Sequence, residues 1–254
     1  MSSISHKKPT IVLVPGASQL PSTYDPILPG LHAAGYKTTA VALASTGART
    51  PVKFEDDVAP IRSVVSGLVE LGREVVVVSH SYGAVPATEA LRGLTRKDRN
   101  DKRLDGGVIQ LVYIAGIVPT QEATCADAYG PMVPKEEGGS WMQFEDLGNG
   151  FTSIKNGEEC FYHDLPPDLA KYHASLLQTQ YHPASLAPLT YEAYRDIPAA
   201  FLYCTDDRAF PIHNQMRVVS TTGIERTGSL DTSHSPFLSK PEGVVGFIRE
   251  VVEG

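Results

Sequence analysis

Two hydrophobic periods alternate along the chain and predict its architecture. Thr10 to Val14 (TIVLV) is an unbroken β-branched run that stops at Pro15-Gly16, the signature of a short strand ending in a tight turn. A helically spaced segment closes at Gly35, and Lys37 to Leu43 (KTTAVAL) predicts a second strand. Phe54, Val58, Ile61, Val65 and Leu68 then recur every three or four residues, the stripe of an amphipathic helix that leads into the apolar strand Glu74 to Val78. A continuous valine run without polar alternation implies burial on both faces, and therefore a parallel sheet. The rhythm resumes with a helix near Gly83 to Leu94, strands near Val108 to Ile117 and Ala199 to Cys204, and a last helix after Pro241. Pro211 and Pro241 both suit a first helical turn, where the missing N–H costs nothing. Strands alternating with helices predict an α/β fold: a mostly parallel sheet of about six strands with helices on both faces.

One stretch breaks this rhythm. From about Thr120 to Arg195 no clear strand is predicted, and Pro, Gly, Tyr and acidic residues take over. It reads as an insertion, a cap over residues 120–195, with the core formed by 1–119 and 196–254. The insertion holds 11 acidic and 4 basic residues, so its net charge of −7 accounts for the −7 of the whole chain. It also carries Trp141, six of the eleven Tyr and three of the eight Phe. Aromatic residues on a segment above a sheet suit a lid over a mostly apolar pocket, although a small subdomain also needs large residues for its own core.

Composition narrows the partners. With 254 residues, 42% of them hydrophobic, the chain can bury a full core. The net acidity and the absence of a Lys/Arg stripe argue against nucleic acid. The longest apolar stretches, Val75 to Val78 and Leu111 to Val118, fall far short of the ~20 residues that cross a bilayer. Met1 to Thr10 lacks the apolar segment of an export signal, and three cysteines (Cys125, Cys160, Cys204) cannot all pair within the chain. A cytoplasmic protein with free thiols is expected, a Cys125–Cys160 bond being the alternative. Oligomeric state stays open between monomer and homodimer.

The segment VVVVSHSYGAV, Val75 to Val85, carries the chemistry. A buried strand runs straight into Ser79-His80-Ser81-Tyr82-Gly83 and then a helix-compatible run, the pattern of a nucleophile elbow. The strained turn needs small residues two before and two after the nucleophile; Ser79 stands where glycine is usual and is still small. Ser81 is therefore the candidate nucleophile, the alternative being a simple helix N-cap. An activated serine needs a base, and His234 lies in the polar turn Asp231-Thr232-Ser233-His234-Ser235-Pro236 after the last strand. The base needs an orienting carboxylate, and Asp207, in preference to Asp206, follows the strand ending at Cys204. The order nucleophile, acid, histidine is the one expected of this triad on an open α/β sheet. Oxyanion donors are expected from the backbone N–H of Tyr82, after the nucleophile, and of Ala17, with Ser18 next, in the loop after the first strand. Ser18, Trp141, Tyr162 and His163 are candidates for contact with a substrate.

The segments LVPGAS (13 to 18), VVSHSYGA (77 to 84), CTDDRAFP (204 to 211) and DTSHSPFLSKPE (231 to 242) together resemble the α/β-hydrolase superfamily. Within it the chain is similar to the group of plant methylesterases and hydroxynitrile lyases with their fungal and bacterial relatives. That resemblance covers almost the whole chain. It implies an α/β-hydrolase fold with an inserted cap, a triad of Ser81, Asp207 and His234, oxyanion donors at Ala17 and Tyr82, and neither metal nor organic cofactor. The chain departs from the group at Pro15, where the plant esterases usually carry histidine. It departs from the hydroxynitrile lyases at Gly16 and Ser235, where they carry threonine and lysine. The expected function is a serine hydrolase of a small or medium neutral carboxylic ester or lactone, working through an acyl-enzyme. The alternatives are a triad-based lyase or C–C bond-cleaving enzyme, and a ligand receptor on the same fold.

Overall fold

The computed structural model describes residues 8–131 and 133–254. The amino-terminal stretch read above for an export signal falls, through residue 7, outside them. Six strands form the main sheet: β1 (Thr10–Val14), β2 (Lys37–Ala40), β3 (Glu74–His80), β4 (Gly107–Ile114), and, after the inserted segment, two more at Ala199–Cys204 and Arg226–Leu230. Three short strands lie between β4 and these two, β5 (Phe144–Gly148), β6 (Phe151–Ile154) and β7 (Gln180–Tyr181), so the last two of the main sheet are β8 and β9. The main sheet runs in the order β2-β1-β3-β4-β8-β9, and every pairing in it is parallel.

Period-two alternation of apolar side chains builds a core on each face. Val12, Val14, Val75, Val77, Leu111, Tyr113 and Phe201 point to one side, against Phe54, Ile61, Val65 and Val69 of the helix Phe54–Glu70. Ile11, Leu13, Val76, Val78, Val112, Ile114 and Leu202 point to the other, against Leu31 and against Val244, Phe247, Ile248 and Val251 of the helix Pro241–Glu253. Each such side chain contributes roughly 1.5–3 kcal/mol on leaving water, which is why the central strands read as uninterrupted apolar runs.

Pairing register decides what meets at the carboxyl edge. β1 and β3 pair from Thr10 with Val75 to Val14 with Ser79, which sets the loop after Val14 beside the turn after His80. β8 and β9 pair to Cys204 with Leu230, which sets residues 205–208 beside 231–234. Gly83 is required where the first two loops touch: a Cβ there would stand 2.1 Å from the carbonyl oxygen of Pro15.

Several elements differ from expectation. β2 ends at Ala40, although Val41 and Leu43 stay buried. The helix expected from Gly83 to Leu94 is a 3-10 turn, Ser81–Gly83, followed by the helix Ala84–Glu89, and Gly93 then takes φ +76° in the left-handed region. The sequence predicts no strand at β9, because RTGSL is polar; the strand is nowhere fully buried, as befits a sheet edge. The sequence predicts no clear strand within residues 120–195, yet β5, β6 and β7 form an antiparallel sheet there. β5 is exposed at every residue, so no alternation marked it.

Candidate active site

Ser81 sits at the tip of β3, where the chain turns sharply into the helix Ala84–Glu89. Its φ of 50° is left-handed, a conformation that disfavours a residue bearing a Cβ and lifts the hydroxyl clear of the sheet. His234 follows β9 and is buried, its ring 5.0 Å from that of Phe161. Nδ1 of His234 lies 2.6 Å from Oδ2 of Asp207. The other carboxyl oxygen of Asp207 accepts from the N–H groups of Ala209 and Phe210, both at 2.8 Å, while Gln215 Nε2 donates to Oδ2 at 3.2 Å. Asp207 is thus held by four donors away from water. Asp206, with its side chain 57% exposed, meets His163 Nε2 at 2.9 Å instead.

Ser81 and His234 open into one cavity of about 480 Å³. Its walls include Ile117, Met142, Ile154 and the rings of Tyr129, Phe144, Phe161 and Phe210. Among the described residues no Lys, Arg, Asp or Glu lines it. The acidity of the insertion therefore lies outside the pocket wall; what disfavours a charged ligand here is the lack of a countercharge to offset its desolvation.

Two backbone donors face this region. Tyr82 is the second residue of a helical turn, where no intrahelical acceptor exists for its N–H. In the loop after β1, Ser18 N–H is committed to Oε1 of Gln180 at 3.0 Å, whereas Ala17 N–H has no protein acceptor among the described residues. Ala17, Ser18 and Tyr82 all line the cavity. Trp141, Tyr162 and His163 do not. Trp141 lies between the cations of Lys135 and Arg208, 4.1 and 4.4 Å from its ring centre. Tyr162 packs with Cys160, Phe161 and Ala209 in a small apolar cluster. His163 is tethered through Nε2 to Asp206 and does not line the cavity. The apolar wall residues carried no sequence signal, since Phe144 or Phe161 in a segment without clear periodicity reads equally as packing.

His80 occupies the variable position of the elbow, between Ser79 and Ser81. It is fully buried, its ring 4.5 Å from that of His234, and its Nε2 donates to the backbone carbonyl of His234 at 2.7 Å. Burial first, and then the neighbouring His234, hold its pKa well below the ordinary histidine value. Nδ1 of His80 lies 3.0 Å from Oε1 of Gln19. Gln19 Nε2 donates to the hydroxyls of Ser235, at 3.2 Å, and Tyr162, at 3.5 Å. The unfolded chain takes up a proton below about pH 6.5 that folded His80 refuses, so stability should fall on acidification by up to about 1.4 kcal/mol per pH unit. Urea midpoints at pH 7 and pH 5 should therefore diverge more in the wild type than in His80→Asn. Equal pH dependence in both would remove His80 as the source.

All three cysteines are free thiols. Among the described residues no group of three or more His, Cys, Asp or Glu is arranged to hold a metal ion, and no helix is long and apolar enough to cross a membrane.

Comparison with known proteins identifies the family. A model described as the alpha/beta hydrolase family matches residues 11–247. The alpha/beta hydrolase nvfD of Aspergillus novofumigatus (strain IBT 16806) is 31% identical over 249 residues, covering 95% of this chain and 96% of that protein. Methylesterase 1 of Arabidopsis thaliana is 23% identical over 273 residues, covering 97% of each. The crystal structure of polyneuridine aldehyde esterase superposes with a TM-score of 0.76 at 19% identity, covering 96% of this chain and 99% of that one, a likeness of fold.

Proposed function

The chain belongs to the α/β-hydrolase family, related to the plant methylesterase group, and on that premise we propose that it is a serine hydrolase of neutral carboxylic esters or lactones. One observation carries the reading. A serine on a strained turn shares an apolar cavity with a histidine whose far nitrogen is 2.6 Å from a buried carboxyl group. In the proposed reaction Ser81 Oγ attacks the carbonyl carbon while His234 Nε2 takes its proton, and Asp207 holds the imidazole and stabilises the imidazolium. The N–H groups of Ala17 and Tyr82 bind the oxyanion. His234 then returns the proton to the departing alkoxide, which in a lactone stays tethered to the acyl group. Water, deprotonated by the same histidine, releases the acid and frees Ser81.

The uncharged cavity wall favours neutral substrates, and the segment 120–195 acts in this reading as the cap that encloses them over the core of 1–119 and 196–254. A cytoplasmic setting suits the free thiols. Cyanohydrin cleavage is disfavoured by space as well as by residue type. A Cβ at Gly16 would stand 2.8 Å from His80 Nδ1 and 3.1 Å from Ser81 Cβ, leaving no room for a threonine, and Ser235 is too buried to exchange for lysine.

Intact mass after exposure to a small fluorophosphonate tests the reading directly. One adduct per chain is expected in the wild type and none in Ser81→Ala. Folded wild type that stays unlabelled would overturn it and redirect attention to lyase chemistry or ligand binding.

A further inference from the structure

A buried chain of hydrogen bonds outside the triad joins the Tyr82 side chain to Ser18, the residue after Ala17. It begins at Asp57, in the first turn of the helix Phe54–Glu70. Oδ2 of Asp57 accepts from the Tyr82 hydroxyl at 2.8 Å and from Ser45 Oγ at 2.6 Å, and Oδ1 accepts from Ser45 N–H at 2.8 Å. Having donated its proton, Ser45 Oγ accepts from Gln180 Nε2 at 2.7 Å. Gln180 Oε1 in turn accepts from Ser18 N–H and from Thr46 Oγ1, both at 3.0 Å. Donor and acceptor sense agree at every link, which fixes the Gln180 amide in one orientation.

Ser18, Ser45, Asp57, Tyr82 and Gln180 are all buried, so an unmade link would leave a polar group without water or partner. Each end of the chain reaches strained backbone. Tyr82 follows Ser81, at φ 50°, and Ser18 is itself left-handed at φ 62°. The loop that carries Ser18 is not held in that shape by regular secondary structure. Gln180 belongs to the inserted segment, whose edge is strapped to the loop after β2: Tyr181 N–H donates to Ser45 O at 2.9 Å and Gly47 N–H to Thr179 O at 2.7 Å. Ser18 O accepts from Gln178 N–H at 2.8 Å, so Ser18 is gripped at both its N–H and its carbonyl by the insertion.

We propose that Asp57, Ser45 and Gln180 are positioning residues that set the Tyr82 and Ala17 N–H groups for the oxyanion, so that the hole is completed only where the inserted segment is seated on the core. The assignment rests on the hydrolase reading above. A donor displaced by a fraction of an ångström loses value in the transition state while ground-state binding is left intact, so the effect belongs to kcat.

Tyr82→Phe, Ser45→Ala and Gln180→Leu, assayed in the full chain with an activated aryl ester, should each lower kcat by about 10- to 100-fold with KM held within about threefold. Affinity for a trifluoromethyl ketone, whose adduct carries the oxyanion, should fall in parallel. Ser45→Thr, which keeps the hydroxyl, should recover most of kcat. Asp57→Asn risks misfolding, and Tyr82→Phe, which removes one oxygen atom, keeps the assignment exposed to refutation. Fluorophosphonate-labelled wild type alongside Tyr82→Phe and Gln180→Leu at full kcat would overturn the assignment alone. Wild type that neither labels nor turns over ester would overturn the hydrolase reading and the assignment with it.

Discussion

Ser81→Ala is expected to lower turnover of an activated ester by on the order of 10⁶ while shifting the thermal midpoint by no more than about 2 °C. The loss is large because no other hydroxyl stands at the strained tip of β3 with His234 across the same cavity. What remains should be only the acceleration that binding and oxyanion contacts supply without a nucleophile. Stability should hold because the Ser81 hydroxyl makes no hydrogen bond to another described residue, and alanine meets the same backbone strain at φ 50°. Initial rates beside a melting curve give both quantities. Retention of more than about a tenth of the wild-type rate would place the nucleophile elsewhere.

Asp207→Asn is expected to cost about 10⁴ in kcat, and Asp206→Asn less than about threefold. The contrast follows from the donors around the carboxyl group. Ala209 and Phe210 both donate to Oδ1, so an asparagine must keep its oxygen there and turn its NH2 toward His234 Nδ1. That amide can only donate, which makes Nδ1 an acceptor and moves the ring proton to Nε2. The base then faces Ser81 with a proton where it needs a lone pair. Asp206, mostly in solvent and paired with His163, has no such leverage on the imidazole. A reversed ranking of the two variants would reassign the acid.

The legible parts of this protein are those in which local sequence and local physics coincide. The valine run of β3 ends at a turn that tolerates only small neighbours, and the close approach of Gly83 to the Pro15 carbonyl explains why. The four segments singled out in the sequence come together at the carboxyl edge of the sheet because parallel pairing of β1 with β3, and of β8 with β9, forces their loops together. Less was legible where burial is partial. β9 and β5 are exposed on one or both faces, so no apolar alternation announces them. Trp141, Tyr162 and His163 are aromatic in a segment suited to a lid, yet their side chains go to a cation pair, a small core and a surface acid.

The sequence by itself determined the fold class, five of the six strands of the main sheet and the loops that hold the candidate triad, because periodicity, turn chemistry and residue type act over a few positions. Only the tertiary structure decided which of two adjacent aspartates meets His234, which N–H of the Pro15–Ser18 loop is left free, and that Asp57 and Gln180, far apart in sequence, converge on that loop and on Tyr82. Those outcomes depend on where a side chain points once distant strands have paired, and on which donors are already spent, and neither is written in the local pattern.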